Sequence, residues 1–177
     1  MKVKIKMSEF FLELFSEEIP SKLQVNARKS LLENLKNFFE ENEVSIKGKL
    51  KVFSTPNRLI VHIDKISREI FKKSEEIRGP NINAPDKALD GFIRSNNIKK
   101  TQVFKKNTDK GEFYFYKKPE KKTNTFDLLE KSIPQIIDKI SWKKSMKWGN
   151  FDLKWGRPLK SILAIFDNKI LEFNYHH

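Results

Sequence analysis

The chain has 177 residues, enough for one sizeable core or two small ones, and a formal net charge of +13 from 36 Lys and Arg against 23 Asp and Glu. It has no cysteine, which excludes a disulfide framework and thiolate metal sites and fits a reducing cytoplasm. No apolar run approaches the roughly 20 residues of a membrane span and no signal-peptide pattern opens the chain, so a soluble, cytoplasmic protein without a membrane partner is expected.

The charge is unevenly spread. Residues 1–45 hold 7 basic and 8 acidic side chains, 46–122 hold 20 and 9, and 123–177 hold 9 and 6. An anionic partner is therefore expected on the middle and later parts. Codon bias explains part of the excess, because 30 of the basic residues are Lys and only six are Arg. The arginines are more telling, since the planar guanidinium fork suits sites where geometry matters.

Met1 to Lys6 reads as an upstream extension or appended leader, with Met7-Ser8-Glu9 as a natural start. Phe10 to Phe15 alternates as a strand, with Phe10, Leu12 and Leu14 on one face and Phe11, Glu13 and Phe15 on the other. Ser16 to Pro20 closes it and opens a helix. The Glu17-Glu18 pair invites acid–base or metal chemistry, but negative charge at the positive end of a helix dipole is the stronger reading. That helix runs from about Ser21 to Glu41, with Ala27, Leu31, Leu35 and Phe38/Phe39 on its apolar face.

After a turn at Lys47-Gly48, Leu50 to Ser54 and Leu59 to Ile66 form a hairpin around Thr55-Pro56-Asn57-Arg58, from which Arg58 projects. His62 faces solvent or a partner. With His176 and His177 as the only other histidines, and those two readable as the start of a tag, no metal site assembles at ordinary ligand counts. Ile77-Arg78-Gly79-Pro80 stops any regular element without making a phosphate cradle, and a second helix starts at Asn83-Ala84-Pro85. Its apolar face is Ala88, Leu89, Phe92 and Ile93, and Asn96-Asn97 ends it. Gly91 inside it costs roughly 1 kcal/mol relative to Ala, which suggests a close helix–sheet contact.

Thr101 to Lys105 and Glu112 to Lys117 form a further hairpin. Phe113 and Phe115 face one way and Tyr114 and Tyr116 the other, so the tyrosines, flanked by lysines, could stack bases; no RNP-type signature accompanies them. Lys117 to Asn124 is a charged connector suited to a subdomain boundary. Phe126, Leu129, Ile133, Ile136/Ile137 and Ile140 trace a third helical face, where Pro134 predicts a kink or two short helices. Ser161 to Phe166 reads as a strand buried on both faces, turning at Asp167-Asn168 into Ile170 to Asn174.

Between these last elements lies a window holding all three tryptophans, Ser141 to Gly149 and then Trp155-Gly156-Arg157-Pro158, with Lys143, Lys144, Lys147, Lys154 and Lys160. Indole rings beside phosphate-seeking charge suit a nucleic-acid surface. Trp142 and Trp148 are equally readable as core residues whose neighbouring lysines reach into water.

Several segments, in order, resemble the β subunit of the bacterial two-subunit glycyl-tRNA synthetase. They are Glu13-Leu14-Phe15-Ser16-Glu17-Glu18-Ile19-Pro20, Phe53 to Leu59, Arg78-Gly79-Pro80, Ala88 to Ser95, Lys110 to Tyr116, Lys143-Lys144-Ser145-Met146-Lys147-Trp148-Gly149, and Gly156-Arg157-Pro158. Asn57 stands where relatives carry the first of two arginines. The resemblance covers the N-terminal portion of a much longer β subunit.

It implies ATP-dependent attachment of glycine to its tRNA by an α/β complex, with glycine, ATP and Mg²⁺ held by the α subunit. No cofactor and no catalytic residue are expected in this fragment, and no glycyl-adenylate is expected from it alone. The expected partners are the α subunit, glycine tRNA and a second β subunit. Expected phosphate or partner contacts are Arg58, Arg78, Arg94, Lys143, Lys144, Lys147, Trp148 and Arg157. A pure protein-docking module and a free-standing basic RNA-binding protein are the competing readings. The expected fold is α+β, with mixed or antiparallel sheets and three main helices packed on sheet faces. Residues 1–118 are expected to form an N-terminal α+β region, and 119–177 a truncated second region of helix and strands.

Overall fold

The computed structural model describes residues 5–72, 74–150 and 152–176, so the leader reading at residues 1–4 and the tag reading at His177 lie outside the described residues. The fold is α+β, with three α-helices and antiparallel sheets. Two compact units are present. One comprises the described residues of Met1–Ile70 and Thr123–His177, the other those of Phe71–Lys122.

In the first unit, β1 (Met7–Ser16), α1 (Ser21–Glu41), β2 (Leu50–Thr55), β3 (Arg58–Ser67), α3 (Thr125–Asp138) and β9 (Leu159–Phe166) follow one another as β-α-β-β-α-β. The sheet order is β10-β9-β1-β3-β2, with β10 (Lys169–Ile170) at the edge. Two interleaved β-α-β halves with β1 central make this the ferredoxin-like arrangement. Phe10, Leu12 and Leu14 of β1, Leu59, Val61 and Ile63 of β3, and Ala164 and Phe166 of β9 point into one core. It is filled from α1 by Leu23, Ala27, Leu31, Leu35 and Phe39, and from α3 by Leu129, Ile133, Ile136 and Ile137. Each fully buried Leu, Ile, Val or Phe among them contributes about 1.5–3 kcal/mol by leaving water.

Four local expectations change here. Glu17 and Glu18 precede Pro20, which caps α1, and the first turn of α1 contains no acid, so the helix dipole does not account for them. Of the two outcomes expected at Pro134, a kink or two short helices, the second is excluded, since Pro134 sits inside one continuous helix. Burial of Ile133, Ile136 and Ile137 around it offsets the lost backbone bond. The helix begins at Asn124, whose side chain accepts from the Phe126 amide at 3.0 Å. Strand β9 buries one face only, since Leu163 is 38% exposed. Beyond β9, Asp167 and Asn168 adopt positive φ values of 52° and 58°, as a two-residue hairpin turn requires. The strand after it is only Lys169–Ile170, not Ile170 to Asn174.

In the second unit, β5 (Glu75–Asn81), β7 (Gly111–Lys118) and β6 (Val103–Thr108) form an antiparallel sheet in the order β5-β7-β6, joined by α2 (Asp86–Ser95). Gly79-Pro80 does not stop β5. The register with β7 shifts between Arg78 and Asn81, and because β5 is an edge strand the missing Pro80 amide forfeits no ladder bond there. Gly91 has no atom within 4 Å of a Cβ built on it, so the close contact expected there is absent. Gly79 is the crowded glycine, with Phe92 Cε1 of α2 3.0 Å from such a Cβ. The short strands β4 (Glu69–Lys72) and β8 (Lys121–Asn124) pair with each other, and the chain passes between the units within them.

Candidate functional site

Because β1 is flanked by β3 and β9, the segment leaving its C-terminal end lies beside the segments that enter its neighbours. The Ser16 amide donates to Asn57 O at 2.9 Å and the Ile19 amide to Pro56 O at 2.6 Å. On the other side the Glu17 amide donates to Pro158 O at 2.9 Å. Three segments distant in sequence, Ser16 to Pro20, Thr55 to Arg58 and Gly156 to Pro158, therefore form one junction. Gln24 of α1 ties it down, donating to Ile19 O at 2.7 Å and accepting from Ser54 Oγ at 2.9 Å.

Charged side chains of both signs rim this junction. Arg58 Nε lies 2.9 Å from Glu13 Oε2, and its guanidinium carbon is 4.6 Å from the Phe15 ring centre. Lys160 Nζ lies 2.7 Å from Glu17 Oε1 and 5.8 Å from the same ring. Phe15 is thus flanked by two cations, each held by a carboxylate. An open cleft beside them is lined by Glu17, Glu18, Asn57, Met146, Arg157 and Pro158. Arg157 contacts Met146 Sδ at 3.9 Å, and neither Arg157 nor Glu18 has an ion-pair partner among the described residues. Glu17, Glu18, Met146 and Lys160 lie in or beside the motif segments but were not among the expected contact residues; only the sheet order brings them together.

The tryptophan window divides by burial. Met146 and Trp155 exchange backbone hydrogen bonds at 2.8 and 3.1 Å, folding the window into a bridge. Trp155 is buried, Trp142 packs on it with ring centres 4.9 Å apart, and both Trp142 and Trp148 pack partly buried against the core. The Trp142 and Trp155 indole N–H groups find no acceptor among the described residues, so packing holds this pair. Lys143 and Lys144 are exposed. Lys147 Nζ reaches Asp152 Oδ1 at 2.7 Å, and its hydrogen bond and charge hold the Asp152 carboxyl below its ordinary range.

Arg78 and Arg94 belong to the second unit. Arg78 stacks its guanidinium 3.6 Å from the Phe113 ring centre, and Arg94 lies exposed in the last turn of α2. The structure therefore brings Arg58 and Arg157 to one junction with the Lys143–Lys147 window leading into it, and places Arg78 and Arg94 on separate elements of the other unit. His62 Nε2 lies 2.6 Å from Glu9 Oε1 across the exposed sheet face.

Among the described residues no three His, Asp or Glu side chains gather as a metal set, and Glu17 is already engaged by Lys160.

Residues 10–177 match the model of the family described as glycyl-tRNA synthetase beta subunit. Over 171 residues the chain is 42% identical to the glycine–tRNA ligase beta subunit of Rickettsia prowazekii (strain Madrid E), covering 97% of the chain and 25% of that protein. It is 40% identical to the corresponding subunits of Rickettsia canadensis (strain McKiel) and Rickettsia conorii (strain ATCC VR-613 / Malish 7), covering 97% of the chain and 25% and 26% of those proteins. The chain spans about a quarter of the length of these curated relatives.

Proposed function

Because the chain belongs to the glycyl-tRNA synthetase beta subunit family, of which it represents an N-terminal part, we propose that this region is a non-catalytic scaffold. It docks the α subunit and helps to position glycine tRNA for charging. The complex attaches glycine to its tRNA using ATP and Mg²⁺, and the adenylate chemistry belongs to the α subunit. Arg157 and the Lys143–Lys144–Lys147 stretch supply the phosphate or carboxylate contacts, with Arg58, Arg78, Arg94 and Trp148 as further contact residues.

The observation that carries this reading is the junction. Three segments singled out by family resemblance meet through backbone hydrogen bonds at one end of one sheet, leaving Arg157 and Glu18 exposed without ion-pair partners among the described residues. A surface with both signs suits a polypeptide partner, whereas Glu17 and Glu18 repel phosphate. The exposed Lys143 and Lys144 carry no such acid neighbour among the described ion pairs, and suit RNA.

Charge reversal separates the two roles. Replacing Lys143, Lys144 and Lys147 by Glu should lower the chain's affinity for glycine tRNA and flatten its salt dependence, and unchanged values would remove that role. Arg157→Glu should weaken co-elution with the α subunit while leaving direct RNA affinity near its starting value. If every one of these variants alters only α-subunit association, the region is a protein-docking module alone.

A further inference from the structure

Successive side chains of β7 point to opposite faces of the three-stranded sheet. On the face of Phe113 and Phe115 stand Phe104 and Lys106 of β6 and Arg78 of β5. The Phe104 and Phe115 rings stack with centres 6.2 Å apart and planes at 27°. Lys106 Nζ is 5.6 Å from the Phe115 ring centre, and Arg78 lies flat at 3.6 Å on Phe113. Gly79, next along β5, is turned to the opposite face, where Phe92 of α2 meets it, so the helix covers the tyrosine side. The phenylalanine side is left accessible: Phe104 is 38% exposed and Arg78 is exposed with no carboxylate partner among the described residues.

Phe71–Lys122 carries fourteen Lys and Arg against seven Asp and Glu. Accessible rings inside a basic surround match a ligand that offers flat aromatic faces and negative charge together. Unpaired nucleotides join both in every residue, whereas paired RNA hides its base faces and the charged side chains of an acidic peptide carry no ring. Lys106 is already engaged by Glu76 at 2.5 Å, which leaves Arg78 as the guanidinium with open donors.

We propose that Phe104, Phe113 and Arg78 form a stacking platform for unpaired bases of single-stranded RNA, with Lys106 on the same face beside its backbone. This deepens the RNA part of the function proposed above and rests on that reading only for which RNA is bound.

The test is binding of the full chain to a fluorescently labelled 12-nucleotide single-stranded RNA and to a duplex of the same length. Single strand should bind more tightly than duplex. Phe104→Ala should weaken it by about 5- to 160-fold, the range that loss of one base stack gives. Phe104→Trp should restore the affinity, and Arg78→Gln should weaken binding and reduce its salt slope. Phe104→Leu, which keeps the apolar packing on Phe115, separates stacking from folding and should bind like Phe104→Ala. Full affinity in Phe104→Leu, or equal binding of duplex and single strand, would overturn the platform. So would a Phe104 effect confined to α-subunit association, which would make this a protein surface. Loss of tRNA affinity on reversing Lys143, Lys144 and Lys147 with no effect from Phe104 would leave the broader reading standing and remove this one. The converse result would do the opposite.

Discussion

The ring of Trp142 lies directly over Gly156, where an added Cβ would stand 2.4 Å from Cζ3 and 2.5 Å from Cε3. Because Trp142 is also packed on the buried Trp155, the ring cannot swing aside freely. Gly156→Ala should therefore destabilise the chain by about 1–3 kcal/mol, the usual cost of overpacking. Urea unfolding followed by tryptophan fluorescence measures it, and an unchanged midpoint would refute it. In a Trp142→Leu background the same substitution should cost less, since the clashing ring is gone.

Periodicity made the first unit's architecture legible. The alternation of Phe10, Leu12 and Leu14 and the spacing of Ala27, Leu31 and Leu35 identify their buried faces, and all six are buried. The α+β class, the boundaries of α1 and the hairpin at Pro56 follow from the same patterns. The junction was only half legible, because local patterns identify Arg58 and Arg157 but not the sheet order that brings their segments to the end of β1. Gly79-Pro80 and the two-helix reading at Pro134 misled because a proline's local penalty does not decide the element: at an edge strand no ladder bond is lost, and inside α3 burial of the surrounding isoleucines outweighs it. Leu163 misled because an apolar run does not say whether its second face is covered.

Arg58 combines a carboxylate contact with an aromatic one. Its side chain is 42% exposed, so solvent weakens the ion pair, and Glu13→Gln should cost less than about 1 kcal/mol in thermal or urea unfolding. Arg58→Ala removes the Phe15 contact as well and should cost more than Glu13→Gln. Arg58→Lys should fall between them, because an ammonium lacks the planar fork. Equal losses for Glu13→Gln and Arg58→Ala would show that Phe15 contributes nothing.

Lys147 gives Asp152 a directional pH dependence. The folded carboxyl titrates below its ordinary value of 3.8 because Lys147 hydrogen-bonds to the charged form. A depressed folded pKa stabilises the fold above the unfolded pKa, and that contribution disappears as pH falls through the folded pKa, so the window lies below about pH 4. In Lys147→Met the Asp152 carboxyl should titrate at higher pH by carbon-detected NMR, with stability at pH 7 little altered because the pair is exposed. An Asp152 titration that ignores the substitution would rule out the pairing in solution.

Two glycines in the second unit should respond to alanine in opposite ways. Gly91 sits in α2 with nothing within 4 Å of an added Cβ, at a backbone φ outside the left-handed region. Alanine there stiffens the unfolded chain and suits a helix, so Gly91→Ala should raise stability by roughly 0.5–1 kcal/mol. Gly79 has Phe92 Cε1 at 3.0 Å and the Tyr114 carbonyl oxygen at 3.1 Å from the same added atom. The carbonyl is backbone of β7, where Tyr114 pairs with Lys105 of β6, and the ring belongs to α2, so neither yields cheaply. Gly79→Ala should lower stability by about 1–3 kcal/mol. Urea unfolding of both variants decides the matter, and stabilisation of both would mean that α2 does not press on β5.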